Sequence, residues 1–533
     1  MLEKIIPHRY IYLFFLSVLL FGLSMGKIFM SIGTIGITVN WVFEANFHCK
    51  IARIKKQKYS SLVLSMGYLI HVLWLLNTQN FNYACKDLLV KLPLLLIPLV
   101  IGSTEFLNKK ELKILTSLFV FGVLTSTLLS MLVYFNILPP KQTNGFYQIS
   151  LFMSHIRMGL LVAFTSILLF YLFFFQKNNN KKVILILAIW LVVFLFFLQS
   201  ITAIIAWLLG ITILVFSLKN NTNIISRVVP LFWLAGLFVS AFFIGFVYKD
   251  FYTIKDKRDL LNLPEKSTLG EVYVHDTINN YTENGYYVWV CIAPNEVKES
   301  WNKRSNISID SIDSKGQKIR STLYRYLTSK GLNKDAKAIN TLTKQEVKQI
   351  ESGITSSIKY SRLEDRIRGI FLELQLYRDG IEVNNHSVSQ RLLFTQVSKS
   401  IIKDNFLFGV GIGDINDAFK NAYLTTSMGL SKVNQKRSHN QFLSFFIVYG
   451  LVGFLLWLFT VVYPIFVNDK PQPIYWIFLV IILIGFISDD MLERQAGVAI
   501  YITLNSLILY GVYSLEGGSK VLDLTKRTPN INS

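Results

Sequence analysis

The sequence predicts an all-α polytopic membrane protein with about 12 transmembrane helices and a large, mainly helical loop domain between spans 9 and 10. Three observations lead there. Apolar residues fill 52% of the 533 positions, the mean hydropathy is +0.43, and the apolar residues gather in uncharged runs near the ~20-residue length that crosses a bilayer. Lysine and arginine, which give a formal net charge of +21, recur in every second connection between those runs, the asymmetry that orients membrane helices. One long hydrophilic stretch, residues 249–439, interrupts the apolar pattern.

The spans are read at 10–25, 27–44, 60–77, 90–102, 114–135, 157–176, 183–199, 201–217, 228–247, 440–465, 474–488 and 496–514. The first apolar stretch, from Ile11, runs into further apolar sequence without a small-residue cleavage site, so it is read as a span. With the N-terminus in the cytoplasm, the cytoplasmic connections hold Lys50, Arg53, Lys55, Lys56 and Lys58, then Lys109, Lys110 and Lys113, then Lys177, Lys181 and Lys182, then Lys219 and Arg227, then Lys470. Outer connections such as 78–89 are poorer in both residues. The resulting organisation is 1–248 for spans 1–9, 249–439 for an extracytoplasmic loop domain, 440–514 for spans 10–12 and 515–533 for a cytoplasmic tail.

Within the loop domain, "EVYVHDT" and "GYYVWVCI" flank "NNYTEN", with Asn284-Gly285 as the turn of an expected hairpin. Thr343 with Glu346 three residues on forms a capping box at the start of a helix. "SRLEDRIRGIFLELQLY" sets Leu363, Ile367, Ile370, Phe371 and Leu374 on one helical face. "SVSQRLLFTQVSKSIIKDN" sets Leu393, Val397 and Ile401 on one stripe and Arg391, Thr395 and Ser398 on another.

Several function classes recede. The basic residues are spread between spans, so a nucleic-acid partner is not expected. The three cysteines, Cys49, Cys85 and Cys291, form no CxxC or Cys/His cluster, and whether Cys85 pairs with Cys291 stays open. No H-E-x-x-H, P-loop or G-x-S-x-G is present. The spans are nearly free of Asp and Glu, which counts against an ion-coupled transporter, and His71 inside the third span reads as a packed residue.

Polar residues gather instead at the outer face. In "QKRSHNQFLSFFIVYG", residues 435–450, His439 opens the tenth span after Lys436 and Arg437. "DDMLERQ", 489–495, forms the last outer loop with Asp489, Asp490, Glu493 and Arg494, and "SHIRMG", 154–159, places His155 and Arg157 at the outer end of the sixth span. In "FGVGIGD", 408–414, the glycines lack the G-x-G-x-x-G spacing and read as a tight bend returning to the membrane.

Two of these stretches carry a family resemblance. "RSHNQFLSFFIVYGLVGFLLWL" resembles the His-Asn-Gln-like and Tyr-Gly-x-x-Gly-like signature of the O-antigen ligase family, and "SVSQRLLFTQVSKSIIKDNFLFGVGIGD" is similar to that family's arginine-bearing helix and glycine turn. "HDTINNYTENGYYVWV", "YLTSKGLNKDA" and "DDMLERQAGV" look like a narrower bacterial branch with an enlarged outer loop. The likeness covers about residues 150–515 and departs at "LQSITAIIAW", where Ile201 stands in the place of an expected arginine that Arg157 or Arg494 would have to replace.

The resemblance implies a metal-independent glycosyltransferase of the inner membrane, without a cofactor and with its active site facing the periplasm. Its donor would be an undecaprenyl diphosphate-linked glycan, its acceptor a hydroxyl of lipid A–core or another acceptor, and membrane lipids its surroundings. His439 matches the catalytic position, and an imidazole suits a general base near neutral pH. Arg391 is the first expectation for the leaving diphosphate, which guanidinium groups grip in bidentate fashion. Arg157, Arg437, Arg494, Asn440 and Glu493 are further expected donor- or glycan-binding residues. A polysaccharide polymerase, a protein O-oligosaccharyltransferase, a transporter or flippase, and a non-catalytic envelope scaffold remain the alternatives.

Overall fold

In the computed structural model, residues 7–139, 141–143, 146–175, 180–218, 224–277, 281–378, 387–425, 430–467 and 472–511 are described. The expected tail, 515–533, and the basic residues Lys177, Lys219 and Lys470 lie outside them. The chain packs as two units, Met1–Trp233 with Gln390–Ser533, and Leu234–Ser389.

The first half is a series of apolar helices. α1 (His8–Met25) and α2 (Lys27–Phe43) lie against each other, with Gly33 and Gly36 of α2 in direct contact with Leu19 and Phe15. α3 (Phe47–Lys56) bends away from α2 by 113°. α4 (Ser60–Leu73) continues into a tighter turn, Trp74–Asn77. α5 (Phe81–Lys91) is followed by α6 (Pro93–Ser103), whose Pro93 suits the first helical turn because its missing N–H has no helical partner there. α7 (Lys109–Tyr134) starts from a capping box of Asn108 and Glu111, and Glu111 also pairs with Arg9 at 2.5 Å.

A two-stranded ribbon, β1 (Lys141–Thr143) with β2 (Phe146–Gln148), precedes α8 (His155–Phe175). α9 (Lys181–Leu198) stops at Gln199, whose φ of 53° is left-handed, and Ser200 caps α10 (Ile201–Ser217). Two residues therefore make the tight connection expected near Ser200. α11 (Ile224–Tyr252) follows.

The second unit is a separate small core. β3 (Thr282–Glu283) and β4 (Tyr286–Tyr287) form the expected hairpin, with Asn284 and Gly285 both at positive φ, as a primed turn demands. α12 (Pro294–Arg304), α13 (Ile319–Ser329), α14 (Ala336–Thr341) and α15 (Lys344–Glu351) enclose Trp301, Leu323, Tyr326 and Ile350. The Thr343–Glu346 capping box is present at α15. α16 (Arg362–Arg378) departs from its expected pattern: Leu363 is 63% exposed while Arg368 is 6% exposed. Arg368 is held by Asp250 and Glu364 and stacks on Tyr360, with the guanidinium 3.9 Å from the ring centroid, so ion pairing overrides the apolar periodicity. Cys291 is a buried free thiol, and Cys49 and Cys85 are exposed free thiols.

α17 (Ser387–Asp404) and α18 (Ile415–Thr425) are joined by the glycine turn, and α19 (Gln441–Val467), α20 (Pro473–Ser488) and α21 (Gln495–Ser506) complete the chain. The predicted apolar stripe of α17 is buried at Leu393, Val397 and Ile401. α19 breaks at Gly450, with φ 62° and ψ −168°. The glycine turn fills that break: Val410 and Gly411 donate backbone N–H bonds to Ile447 and Val448, while Leu451 and Val452 donate to Phe406 and Leu407. Backbone groups freed by a helix break within a bilayer need such protein partners, because lipid offers none.

Among the described residues, seven helices are long and apolar enough to cross a membrane: α1, α4 with its extension, α7, α8, α9, residues 228–252 of α11, and α19; α2 with α3 would make an eighth. α10, α20 and the helical run 495–511 are shorter apolar helices. The protein is thus an almost entirely helical, multi-pass membrane protein.

Candidate active site at the start of α19

The site is built on a short turn. Asn440 caps α19, its side chain accepting the N–H groups of Phe442 and Leu443 at 3.0 and 3.1 Å. His439, just before it, has φ 47°, a left-handed conformation uncommon outside glycine. What holds it there is the loop after α20. The Asp490 carboxylate accepts from the His439 N–H at 3.2 Å and from the hydroxyls of Ser438 and Ser444 at 3.1 and 2.7 Å. Gln441 Oε1 accepts the Leu492 N–H at 2.6 Å. Two chain segments some fifty residues apart in sequence are thereby tied together through their polar groups.

The neighbouring Asp489 faces the imidazole. Its carboxylate lies 3.6 Å from His439 Nδ1 and 2.8 Å from Arg157. Burial works to raise the Asp489 carboxyl, but His439 and Arg157 outweigh it and hold the group below the usual carboxylate range. Asp490 moves the other way, pushed up by burial despite its hydroxyl donor Ser444. Asp489 is therefore the firm anion of the pair.

The ring of His439 lies beside Phe394 of α17, with centroids 5.6 Å apart. Arg391, half-buried, is one turn before Phe394 on that helix and within electrostatic reach of His155, which in turn reaches Asp489. Arg157 therefore meets His439 through a shared carboxylate, and Arg391 approaches through α17. Arg157 Nε is buried without a hydrogen-bond partner among the described residues. The first turns of α8 and α10 touch where a side chain on Gly159 would meet Ala203, so Arg157 stands at the end of the bundle where Ile201 begins α10.

The other expected residues are placed differently. Arg437 is engaged by Glu493 at 2.9 Å, by Asn416 at 2.8 Å and by the Tyr83 hydroxyl. Glu493 also accepts from Lys91 at 3.0 Å, and Lys91 grips both carboxylate oxygens of Asp87 at 2.6 Å. Burial alone would raise the Glu493 carboxyl, yet Lys91 and Arg437 draw it down to about 2. Arg494 is exposed, within electrostatic reach of Arg157. His71 is fully buried; its Nδ1 bonds the Gly67 carbonyl at 2.9 Å, while Nε2 has no partner among the described residues.

The partnering roles of Asp489, Asp490 and Lys91 were not assigned from sequence. A doublet of aspartates directly after the apolar α20 was one available signal, and the i, i+4 spacing of Asp87 and Lys91 ahead of an apolar run was another. Among the described residues, no group of three or more His, Cys, Asp or Glu side chains is arranged to hold a metal ion.

No curated protein matches the chain. The family model described as O-Antigen ligase matches residues 337–458, a stretch that includes Arg391, the glycine turn, His439 and the break at Gly450. Over those residues the chain is similar to the O-antigen ligase family.

Proposed function

We propose that the protein transfers a glycan from undecaprenyl diphosphate to a hydroxyl of lipid A–core, at the periplasmic face of the inner membrane. The observation that carries this is the His439–Asp489–Arg157 constellation beside α17. With Nδ1 turned toward Asp489, Nε2 is the nitrogen left to take the acceptor proton. The acceptor oxygen attacks the anomeric carbon as the bond from that carbon to the diphosphate oxygen breaks, and undecaprenyl diphosphate leaves with the electron pair. The imidazolium so formed is stabilised by the anionic Asp489. Arg391 and Arg157 are the proposed contacts for the leaving diphosphate, with Arg494 as a further candidate, and no metal ion is required.

The proposed topology has twelve spans, with 249–439 outside the cytoplasm, so that the polyprenyl tail stays in lipid while the glycan reaches the aqueous side. Arg437, Glu493 and Asn440 act in this scheme by shaping the turn that carries His439.

The test is reconstitution of the full-length protein in lipid vesicles with a defined undecaprenyl diphosphate-linked glycan, lipid A–core and EDTA. Single transfer to lipid A–core at an undiminished rate is expected. Extension of the lipid-linked glycan instead would reassign the acceptor and make the protein a polymerase. Movement of the lipid-linked glycan across the bilayer with no covalent product would defeat the proposal.

A further inference from the structure

Lys91 sits outside the stretch matched by the family model, yet its contacts lead to His439. Its side chain is 3% exposed and lies between Asp87 and Glu493. Glu493, 9% exposed, passes the connection to Arg437, two residues before His439. Arg437 is fixed from three sides: Tyr83 on α5, Asn416 on α18 and Glu493 in the loop after α20. α5 thus contributes both ends of the chain of contacts, Tyr83 to Arg437 directly and Lys91 through Glu493.

The four charges, Asp87, Lys91, Glu493 and Arg437, cancel, so the buried group is neutral as a set and unbalanced if any one is removed. The peptide it supports is one that needs support, because His439 holds a left-handed φ of 47°. Such a conformation persists in a non-glycine residue only where its surroundings over-determine it. The Asp490 carboxylate fixes the turn from one side, and the Arg437 anchor fixes the chain leading into it.

We propose that Lys91 is a positioning residue for His439, acting through Glu493 and Arg437 to hold the turn that presents the imidazole. This rests on the reading of His439 as the general base. It gives α5 a role in the reaction although no residue of α5 is placed at the reacting atoms. Loss of an ion-pair cluster that only stabilised the fold would lower the melting temperature and leave the turnover of the folded fraction unchanged.

The experiment uses full-length protein in lipid vesicles, with transfer from undecaprenyl diphosphate-linked glycan as the readout and His439→Ala as reference. Lys91→Met should lower kcat about 10- to 100-fold, because an ångström of misplacement is felt at that scale, with donor KM within about 3-fold. Lys91→Arg should restore kcat to within about 3-fold of wild type, since the ion pairs return. The Lys91→Met/Glu493→Gln double variant should be no slower than the slower single variant, because both act through one contact. Wild-type kcat in folded Lys91→Met, or additive losses in the double variant, overturns the proposal. If Lys91→Met cannot be obtained folded, Tyr83→Phe, which keeps all four charges, decides: a kcat about 3-fold or more lower supports it, and an unchanged kcat overturns it. Activity retained in His439→Ala would instead defeat the reading of His439 as base.

Discussion

Asp489 stands between His439 and Arg157, 3.6 Å from the imidazole Nδ1 and 2.8 Å from the guanidinium. One carboxylate thus faces an imidazole and pairs with a guanidinium. If that orientation matters, Asp489→Asn keeps the shape and removes the charge that an imidazolium would need. It should lower kcat about 10-fold or more, and His439→Ala about 100-fold or more, with little change in membrane-inserted yield. Initial rates with saturating lipid-linked glycan check both; a full rate in either removes that residue from the chemistry.

Arg391 tests the proposed diphosphate contact. Arg391→Lys preserves charge and loses the planar fork, so kcat/KM should fall about 10-fold or more. Phe394→Leu, on the same helix, should cost less, because it alters a flank of His439 without removing a phosphate donor. Parallel kinetics on the two variants separate these expectations, and equal losses would argue that α17 matters only as packing.

The glycine lock makes a folding prediction. Gly409 and Gly450 have φ of 69° and 62°, and a Cβ at either would come within 2.5 Å of facing backbone atoms. Both the conformation and the contact disfavour a side chain, and neither neighbour is a flexible tip. Gly450→Ala and Gly409→Ala should each destabilise the protein by more than about 2 kcal/mol. The loss should show as less monodisperse protein after detergent extraction and a lower melting temperature. Gly236→Ala, at an open helical position, is the control expected to change little.

The ion-pair set makes a pH prediction. Glu493 is drawn down to about 2 from an ordinary value of 4.5. A depressed carboxyl binds fewer protons folded than unfolded, so its stabilisation is present above about pH 4.5 and is lost as the pH falls toward 2. Burial raises the Asp87 carboxyl of the same set to about 6, which acts in the opposite sense above about pH 4, so the melting temperature of the wild type should decline below about pH 4, and Glu493→Gln should decline less steeply there from a lower starting value. Thermal scans at fixed detergent and ionic strength from pH 6 down to about pH 3 check the sign; a steeper decline in the variant would contradict it.

The sequence by itself determined the helical membrane class, the positions of the apolar helices, the hairpin at Asn284-Gly285 and the capping box at Thr343. Each follows from local chemistry: apolar runs of bilayer length, residues that accept positive φ, and side chains that reach their own backbone. It also marked His439, Arg391 and Arg157 as residues at one face. Which groups meet was decided by tertiary structure, because contacts between α5, the turn before α19 and the loop after α20 join residues hundreds of positions apart and leave no periodic trace. For the same reason Arg368, which no apolar pattern singles out on α16, is buried on Tyr360, and Arg437 is committed to Glu493 and Tyr83. Spacing along the chain shows which residues can share a face; which charge then finds which partner depends on the three-dimensional packing of helices far apart in sequence.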